Sequence, residues 1–251
     1  MYDDDELTVL EAEIELDPLD QVGLEADQAE EVKPDPEVML SLLGSPNHQQ
    51  RMLAARAFCE IEDKRAIPLL VALLNDPCPL VRVSAAYGLG RNPDSAAVEP
   101  LIEQLQRDWN GYARKGMVWA LGNCRDRRAL EPLTDALKTD IAAVRLWAAS
   151  ALAQMVEVGY DATITAIPCL IEGLRRDLVA AVRSNCAWAV GQLCRELPSN
   201  VIYATAIDAL IEAFAEDPEM GVREDAKTAV LKVGDTRGLQ VIEELELEGW
   251  F

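Results

Sequence analysis

The chain has 251 residues, of which 50% are apolar and only 5% aromatic, and its formal net charge is −21. The apolar share excludes wholesale disorder, and a pI near 4.4 argues against binding to nucleic acid or an anionic membrane, because both need a basic face. No apolar run reaches the roughly 20 residues of a membrane span, and the acidic start Met1–Glu6 lacks the basic region of a signal peptide. We therefore expect a soluble, cytoplasmic protein.

Acidic side chains are concentrated at the N-terminus. Residues 1–37 contain fifteen acids and one lysine, and acids alternate with aliphatic residues most regularly from Leu7 to Leu16. Such a segment buries too little apolar surface to offset its ordering entropy. We predict that residues 1–35 form a disordered acidic arm and that residues 36–251 form the folded domain. The arm is either a solubilising tail or a short motif that docks into a groove, in a partner or in this protein.

From about residue 36 the sequence repeats every 31 to 40 residues. One element of each unit is an arginine followed by small residues, as in Arg82-Val83-Ser84-Ala85-Ala86. A second element often contains proline, as in Ala66-Ile67-Pro68-Leu69-Leu70. Proline is tolerated in the first turn of a helix, so each unit is predicted to contain two helices, the first beginning near the proline and the second near the arginine. The arginines are Arg51, Arg82, Arg114, Arg145, Arg183 and Arg223.

Apolar residues in both helices recur at the i, i+3, i+4, i+7 spacing of an amphipathic helix. One such pair cannot bury its apolar face alone, so neighbouring pairs must stack into a solenoid. The predicted fold class is all-α, a right-handed superhelix of about six helix pairs.

An acid precedes the arginine in most units; Asp76 lies six residues before Arg82, and Asp108 six before Arg114. A short acid at this position can cap the second helix, or pair with an arginine of its own or the adjacent unit. We interpret the acids and arginines as structural, with ligand binding as the alternative. The six cysteines form no C-x-x-C pair and are interpreted as small buried hydrophobic residues.

The units resemble HEAT repeats, in the short form found in phycobilin lyases and their relatives (the PBS lyase HEAT-like family). Residues Asp76–Gly90 match the pattern D-P-x-x-x-V-R-x-x-A-A-x-x-L-G, and the resemblance covers roughly residues 36–248. It implies a HEAT-like α-solenoid. The acidic N-terminus followed by this array is also similar to a cyanobacterial HEAT-repeat protein that partners IscA, an A-type iron–sulfur assembly protein. A di-iron hydroxylase of the same superfamily uses repeated His-Glu pairs, but this sequence has one histidine, His48, and we expect no metal site.

A helical wheel of each second helix separates two faces. The residue before the arginine and those at +3, +4 and +7 form the predicted core stripe, and those at +1, +2, +5 and +9 lie opposite. We expect the opposite side to line the concave surface of the superhelix. Large aromatic residues favour binding hot spots, and polar residues near them can orient a partner. The predicted partner-binding residues, here called the second-helix face, are Arg56, Tyr87, Arg91, Lys115, Trp119, Asn123, Trp147, Asn185, Trp188 and Gln192. The alternative is that these rings only fill space between second helices.

Trp109 lies in the turn before Arg114 and is predicted either to anchor that turn in the core or to touch a partner. The C-terminal Trp250 and Phe251 either cap the last repeat or form a second docking element.

Three functions remain open. The first is a non-enzymatic scaffold that binds a partner protein and no cofactor, such as an IscA-like protein in iron–sulfur assembly, with any cluster held mainly by that partner. The second, implied by the resemblance, is a phycobilin lyase or bilin chaperone acting on a phycobiliprotein subunit, in which Arg56 or Arg91 pairs with the bilin propionates. The third is direct binding of a cluster or metal. It is disfavoured because Cys186 and Cys194 would lie about 12 Å apart along one helix.

Overall fold

Thirteen α-helices and three short 3-10 helices make up the regular structure of residues 34–247, the part of the chain that the computed structural model describes. The predicted arm (residues 1–33 of it) and the C-terminal residues 248–251 lie outside the described residues, so their roles and the domain boundary stay predictions. The α-helices are α1 Pro36–Leu42, α2 His48–Ala57, α3 Ile67–Leu73, α4 Pro79–Arg91, α5 Ser95–Arg107, α6 Gly111–Cys124, α7 Leu130–Thr139, α8 Ala142–Ala153, α9 Tyr160–Arg176, α10 Ala180–Cys194, α11 Val201–Glu216, α12 Met220–Val233 and α13 Thr236–Leu247.

Successive helices form six pairs, from α1 with α2 to α11 with α12, and α13 follows the last pair. The second helices α2, α4, α6, α8, α10 and α12 pack in one row, each against the next. The prediction of an all-α, HEAT-like solenoid of about six helix pairs is confirmed for the described residues. The right-handed course of the superhelix stays a prediction. No helix among residues 34–247 combines the length and apolar character of a membrane span.

Every second helix begins three residues before its arginine, close to the predicted position. The first helices differ more from the prediction. Helix α3 begins beside Pro68, but α5 and α9 begin earlier, so that Pro100 and Pro168 lie inside them. In α5 the earlier start has a local cause, because the Asp94 side chain accepts a hydrogen bond from the backbone N–H of Ala96 and caps the helix. Proline therefore marks the first helices in this sequence without fixing where they begin.

The predicted core stripe is buried. In α4 its members Val81, Ala85, Ala86 and Leu89 are all fully inaccessible to solvent. Their mostly small side chains allow the second helices to approach closely, which gives dense packing with little aromatic content. The opposite side of α4 is more buried than the helical wheel predicted, because Ser84, two residues after Arg82, is also buried.

An arginine–aspartate ladder connects each helix pair to the next. Arg82 Nε and Nη2 donate to both carboxylate oxygens of Asp108 at 2.6 and 2.7 Å, while Arg82 Nη1 donates to the backbone carbonyl of Asp76 in its own unit. Each rung thus joins two turns, and the bidentate geometry of the Arg82–Asp108 rung is the strong form of this interaction. The structural interpretation of these residues is confirmed, with the partner in the adjacent unit. The five rungs are Arg51–Asp76, Arg82–Asp108, Arg114–Asp140, Arg145–Asp177 and Arg183–Asp217.

The ladder carboxylates do not cap the second helices, because each bonds to the N–H of the residue just before its helix; α4 has no side-chain cap hydrogen bond, and the side chain of Asn110 caps α6. Asp76 accepts from the backbone N–H of Cys78, and Asp108 from that of Asn110. Burial alone would raise the pKa of Asp108, but hydrogen bonds from Arg82 and from the backbone outweigh burial and hold that pKa below its usual value. The pKa values of Asp76, Asp177 and Asp217 are lowered by the same balance.

This balance predicts acid sensitivity. A carboxyl group with a lower pKa in the folded than in the unfolded chain stabilises the fold above its unfolded pKa of about 3.9, and that stability is lost as pH falls through the folded value. We expect the free energy of unfolding in urea to hold steady from about pH 5 to 8 and to fall steeply below about pH 4. In Asp108→Asn the loss of stability at low pH should be smaller, because this variant lacks one carboxyl group whose pKa is lowered in the folded chain. If the free energy of unfolding fell equally steeply with pH in the wild-type chain and in Asp108→Asn, the lowered pKa of Asp108 would not contribute to acid sensitivity.

Candidate functional site

Side chains of the second-helix face meet across neighbouring helices, so the face is continuous from α4 to α10. The rings of Tyr87 in α4 and Trp119 in α6 have centroids 5.4 Å apart. In the next interval Lys115 Nζ lies 5.4 Å from the ring centroid of Trp147 in α8. Asn185 in α10 then donates to the backbone carbonyl of Leu146 in α8. The structure therefore brings most of the predicted residues together in one row.

Two of the four aromatic residues are partly engaged in packing. Tyr87 and Trp119 are half-buried, with ring planes inclined at 46°. Trp119 lies directly over Gly90, where a Cβ atom would come within 2.3 Å of the ring. These two rings fill space between helices, as the alternative interpretation expected, and each keeps an accessible side.

Trp147 and Trp188 are placed differently. Trp147 is half-buried beneath the Lys115 ammonium group in a cation–π arrangement. Trp188 is 39% exposed, although a large aromatic side chain is usually well covered in a folded chain. Trp188 therefore offers the most accessible ring of the second-helix face.

Two arginines lie at the N-terminal end of the face. Arg91 at the end of α4 is exposed and Arg56 in α2 is half-buried. Burial raises the pKa of the Cys59 thiol to about 11, against the opposing effect of Arg56 and Arg91. Both guanidinium groups therefore lower the pKa of the same thiol. Because Arg56 lies in α2, the row extends to the first helix pair.

The predicted amide residues are largely committed to contacts between helices. Asn123 donates to the Gly90 carbonyl at 3.0 Å and accepts from Gln154 Nε2 at 3.1 Å. Asn185 donates to Ser150 as well as to the Leu146 carbonyl. Gln192 is half-buried on α10. Asn123 and Asn185 therefore set the spacing of the second helices, which positions the rings between them.

Sequence reasoning missed a second row of exposed apolar side chains, on the turns before the second helices or in the first turn of those helices. Trp109 is 76% exposed and lies 5.8 Å from the Arg82 guanidinium carbon. The expectation that it anchors its turn in the core is wrong, because the ladder and the Asn110 cap already fix that turn. Each member follows a ladder aspartate by one to four residues, a signal available in the sequence. The row comprises Leu80, Trp109, Ile141, Leu178 and Met220.

The cysteines offer little thiolate chemistry. Burial raises the pKa of Cys124 and Cys169 to about 11 and that of Cys194 to about 12. Because the thiolate is both the nucleophile and the metal ligand, these groups are poorly suited to either role near neutral pH. Cys169, Cys186 and Cys194 are buried as predicted, whereas Cys59, Cys78 and Cys124 are half-buried. Within residues 34–247 no three His, Cys, Asp or Glu side chains form a group that could hold a metal ion.

Solved structures share this architecture. An engineered protein is 26% identical, with a TM-score of 0.60, and the match covers 80% of this chain and 98% of that chain. A designed armadillo repeat protein in complex with the peptide (KR)4 is 20% identical, with a TM-score of 0.59, over 79% of this chain and 98% of that one. Yeast importin-beta (Kap95p) is 19% identical, with a TM-score of 0.55, over 78% of this chain and 30% of that one. The last two similarities concern the fold alone.

Sequence comparison gives the family. No curated protein shows a significant match to this chain. The family model for HEAT repeats matches residues 36–114 and 98–191, which together exceed half of the chain and contain helices α1 to α9 and most of α10. The chain therefore belongs to the HEAT-repeat family.

Proposed function

We propose that this HEAT-repeat chain is a non-enzymatic scaffold that holds a partner protein on the second-helix face, the concave side of the expected superhelix. The observation that carries the proposal is the continuous row from Tyr87 to Trp188, in which a tryptophan that is 39% exposed extends a series of half-buried rings. Aromatic rings give large contact areas at low entropic cost and are enriched in binding hot spots.

The architecture of the solved structures supports the same role. One designed armadillo repeat protein is in complex with a peptide, another was designed for modular peptide recognition, and importin-beta binds RanGDP. Helical repeats form extended surfaces suited to such partners. The raised pKa values of the Cys124, Cys169 and Cys194 thiols are also more compatible with a binding protein than with thiol chemistry.

Two partners implied by the sequence resemblance belong to this proposal as candidates. An IscA-like protein would place the chain in iron–sulfur assembly, with the cluster held by the partner. A phycobiliprotein subunit would make it a phycobilin lyase or bilin chaperone, with Arg91 and Arg56 near the propionates of an open-chain tetrapyrrole. Capture of partners from a cyanobacterial lysate, followed by absorption spectroscopy of the eluate, separates the two, because a bilin is blue or red and an iron–sulfur protein is brown.

Trp188→Ala tests the face itself. We expect this substitution to weaken binding of the captured partner by about 30-fold, the loss typical of one aromatic hot spot. The measurement is titration calorimetry with the purified partner, for the wild-type chain and the variant. Trp188 suits the test because its exposure limits the effect on folding, whereas removal of Trp119 would also open the packing around Gly90.

Trp109→Ala is the matched control. Like Trp188→Ala, this variant loses one exposed tryptophan, but Trp109 lies in the turn before α6 and outside the second-helix face. We expect its affinity for the captured partner to be unchanged. If Trp188→Ala keeps wild-type affinity while both variants remain folded by circular dichroism, the second-helix face is not the binding surface. A loss in Trp109→Ala alone would move the site to the turns.

A further inference from the structure

The middle of the row of exposed apolar side chains on the turns forms one patch, here called the central row, of Trp109, Ile141 and Leu178. These residues are 76%, 51% and 94% exposed, respectively. The Ile141 side chain lies over Gly111, two residues after Trp109, where a Cβ atom would come within 2.4 Å of Ile141 Cδ1. Folded monomers rarely expose contiguous apolar patches of more than a few hundred Å². The central row therefore has the character of an interaction surface.

Two clefts alternate with the side chains of the central row. One cleft, of about 410 Å³, lies between the ends of α5 and α7, and its lining includes Leu105, Ala136 and Ile141. The other, of about 400 Å³, lies between the ends of α7 and α9, and its lining includes Leu137 and Leu178. Neighbouring units thus present both a projecting apolar side chain and a recess that can receive one.

The charges beside the central row balance in sign. The ends of α5, α7 and α9 each contain an exposed acid and an exposed base three or four residues apart, whereas Arg175 is paired with Glu212 and the ladder arginines with their aspartates. The exposed groups are Glu103 and Arg107, Asp135 and Lys138, and Glu172 and Arg176. Such a surface favours neither an acidic nor a basic partner, and its mixed signs complement a second copy of the same surface.

We propose that the central row binds a second copy of this chain, related by a two-fold axis that crosses the row beside Ile141. In a two-fold interface the same patch is used on both copies. Trp109 of each copy then faces Leu178 of the other, and the charged end of α5 faces that of α9. Because the central row lies outside the second-helix face, this pairing goes beyond the proposed function and stands independently of it.

The exposed area is sufficient for a specific dimer. With roughly 200 Å² for a fully exposed large side chain, the three exposed fractions correspond to about 440 Å² of apolar surface per copy. Because homodimer interfaces are about 65% apolar, two copies would bury roughly 1,400 Å² in total, within the range of about 1,200 to 2,000 Å² for specific interfaces. We expect a dissociation constant on the order of micromolar, the weak end for interfaces of this size.

The net charge of −21 opposes pairing less than its size suggests. Fifteen of the 44 acids lie in residues 1–37, outside the central row. Charges separated by more than about 8 Å interact little at physiological ionic strength. The balanced charges beside the central row are the ones that come close in the pair.

Leu178→Glu tests the pairing. Sedimentation velocity of the full-length chain, from about 1 to 100 µM to bracket a micromolar dissociation constant, should give a mass that rises towards twice 27.6 kDa. We expect Leu178→Glu to raise the dissociation constant at least 10-fold, because it places a carboxylate in the apolar contact. Val201→Glu is the matched control, since Val201 is 81% exposed in the first turn of α11 and outside the row. It should pair as the wild-type chain does.

Two variants at Ile141 test the axis. Ile141→Lys and Ile141→Glu should each fail to pair, because like charges would meet across the axis. An equimolar mixture of the two should pair again, because opposite charges then meet. If the mixture stays monomeric while both variants remain folded by circular dichroism, the two-fold arrangement beside Ile141 is overturned.

Three other results would overturn the pairing. The first is a wild-type chain that stays monomeric throughout the concentration range, and the second is a dimer that Leu178→Glu leaves intact. The third is an assembly that keeps growing with concentration, which indicates a head-to-tail contact. If the chain is monomeric and Leu178→Glu, but not Val201→Glu, loses a captured partner protein, the central row binds that partner and pairing with a second copy is rejected.

Discussion

Asp108→Ala is expected to lower the free energy of unfolding by about 3 to 5 kcal/mol, the usual result of removing one partner from a buried ion pair. The Asp108 side chain is fully buried and its partner Arg82 is 6% exposed, which makes this rung the least accessible of the five. The substitution leaves a buried guanidinium group without its carboxylate and removes the hydrogen bond to the Asn110 backbone. Urea unfolding followed by circular dichroism measures the change.

Glu103→Ala is the control for this substitution. Glu103 pairs with Arg107 on the surface of α5 at 3.8 Å, with both side chains more than half exposed, and exposed pairs contribute about 0 to 1 kcal/mol. If the two variants lose similar stability, the ladder is not a principal connection between repeats. A loss confined to the repeats on either side of Asp108, seen by hydrogen exchange, would agree with the nearest-neighbour stability of solenoids.

Gly122→Ala should also destabilise strongly, by about 1 to 3 kcal/mol, because it overfills the contact between α6 and α8. An added Cβ atom would lie 2.8 Å from Ala151 Cβ and 2.9 Å from Ala151 Cα. A backbone atom cannot rotate away as a flexible side chain can, so the two helices must separate. The resulting shift would also disturb Gln154, which donates a hydrogen bond to Asn123 of the second-helix face.

Gly221→Ala provides the opposite control. This glycine lies in the first turn of α12, and a Cβ atom there would meet nothing within 4 Å. Alanine should raise stability by about 0.4 to 1 kcal/mol, because it reduces the freedom of the unfolded chain. Thermal unfolding of both variants measures the two changes. An equal rise in unfolding temperature in both variants would mean that helix propensity dominates over packing at Gly122.

The sequence predicted the candidate face because a helix has a fixed geometry. The 100° step of a helix places Trp119 and Trp188 at the same position of the third and fifth units, and in the structure each lies eight residues after the start of its helix. The wheel cannot report how neighbouring helices cover a residue. Ser84 and Trp147 both stand at +2, yet Ser84 is buried whereas Trp147 is half-buried.

The same limit applies to the turns. The aspartate directly before Trp109 marks the turn, but it does not determine whether the ring is exposed, since a tryptophan between two helices can also enter the core. Its exposure follows from the Arg82–Asp108 pair, which joins residues 26 positions apart, together with the local cap by Asn110. These contacts hold the turn so that the ring remains outside, above the Arg82 guanidinium group.

By itself the sequence determined the all-α class, the helix pairs, their stacking and the structural role of the arginines and aspartates. These features depend on local periodicity and on the need of each pair to bury its apolar face. The tertiary structure decided that Arg82 pairs with Asp108 of the next unit, that Asn123 and Asn185 bond between helices, and that Trp188 stays accessible. Those outcomes depend on contacts between residues 26 to 35 positions apart, which form only when neighbouring repeats pack.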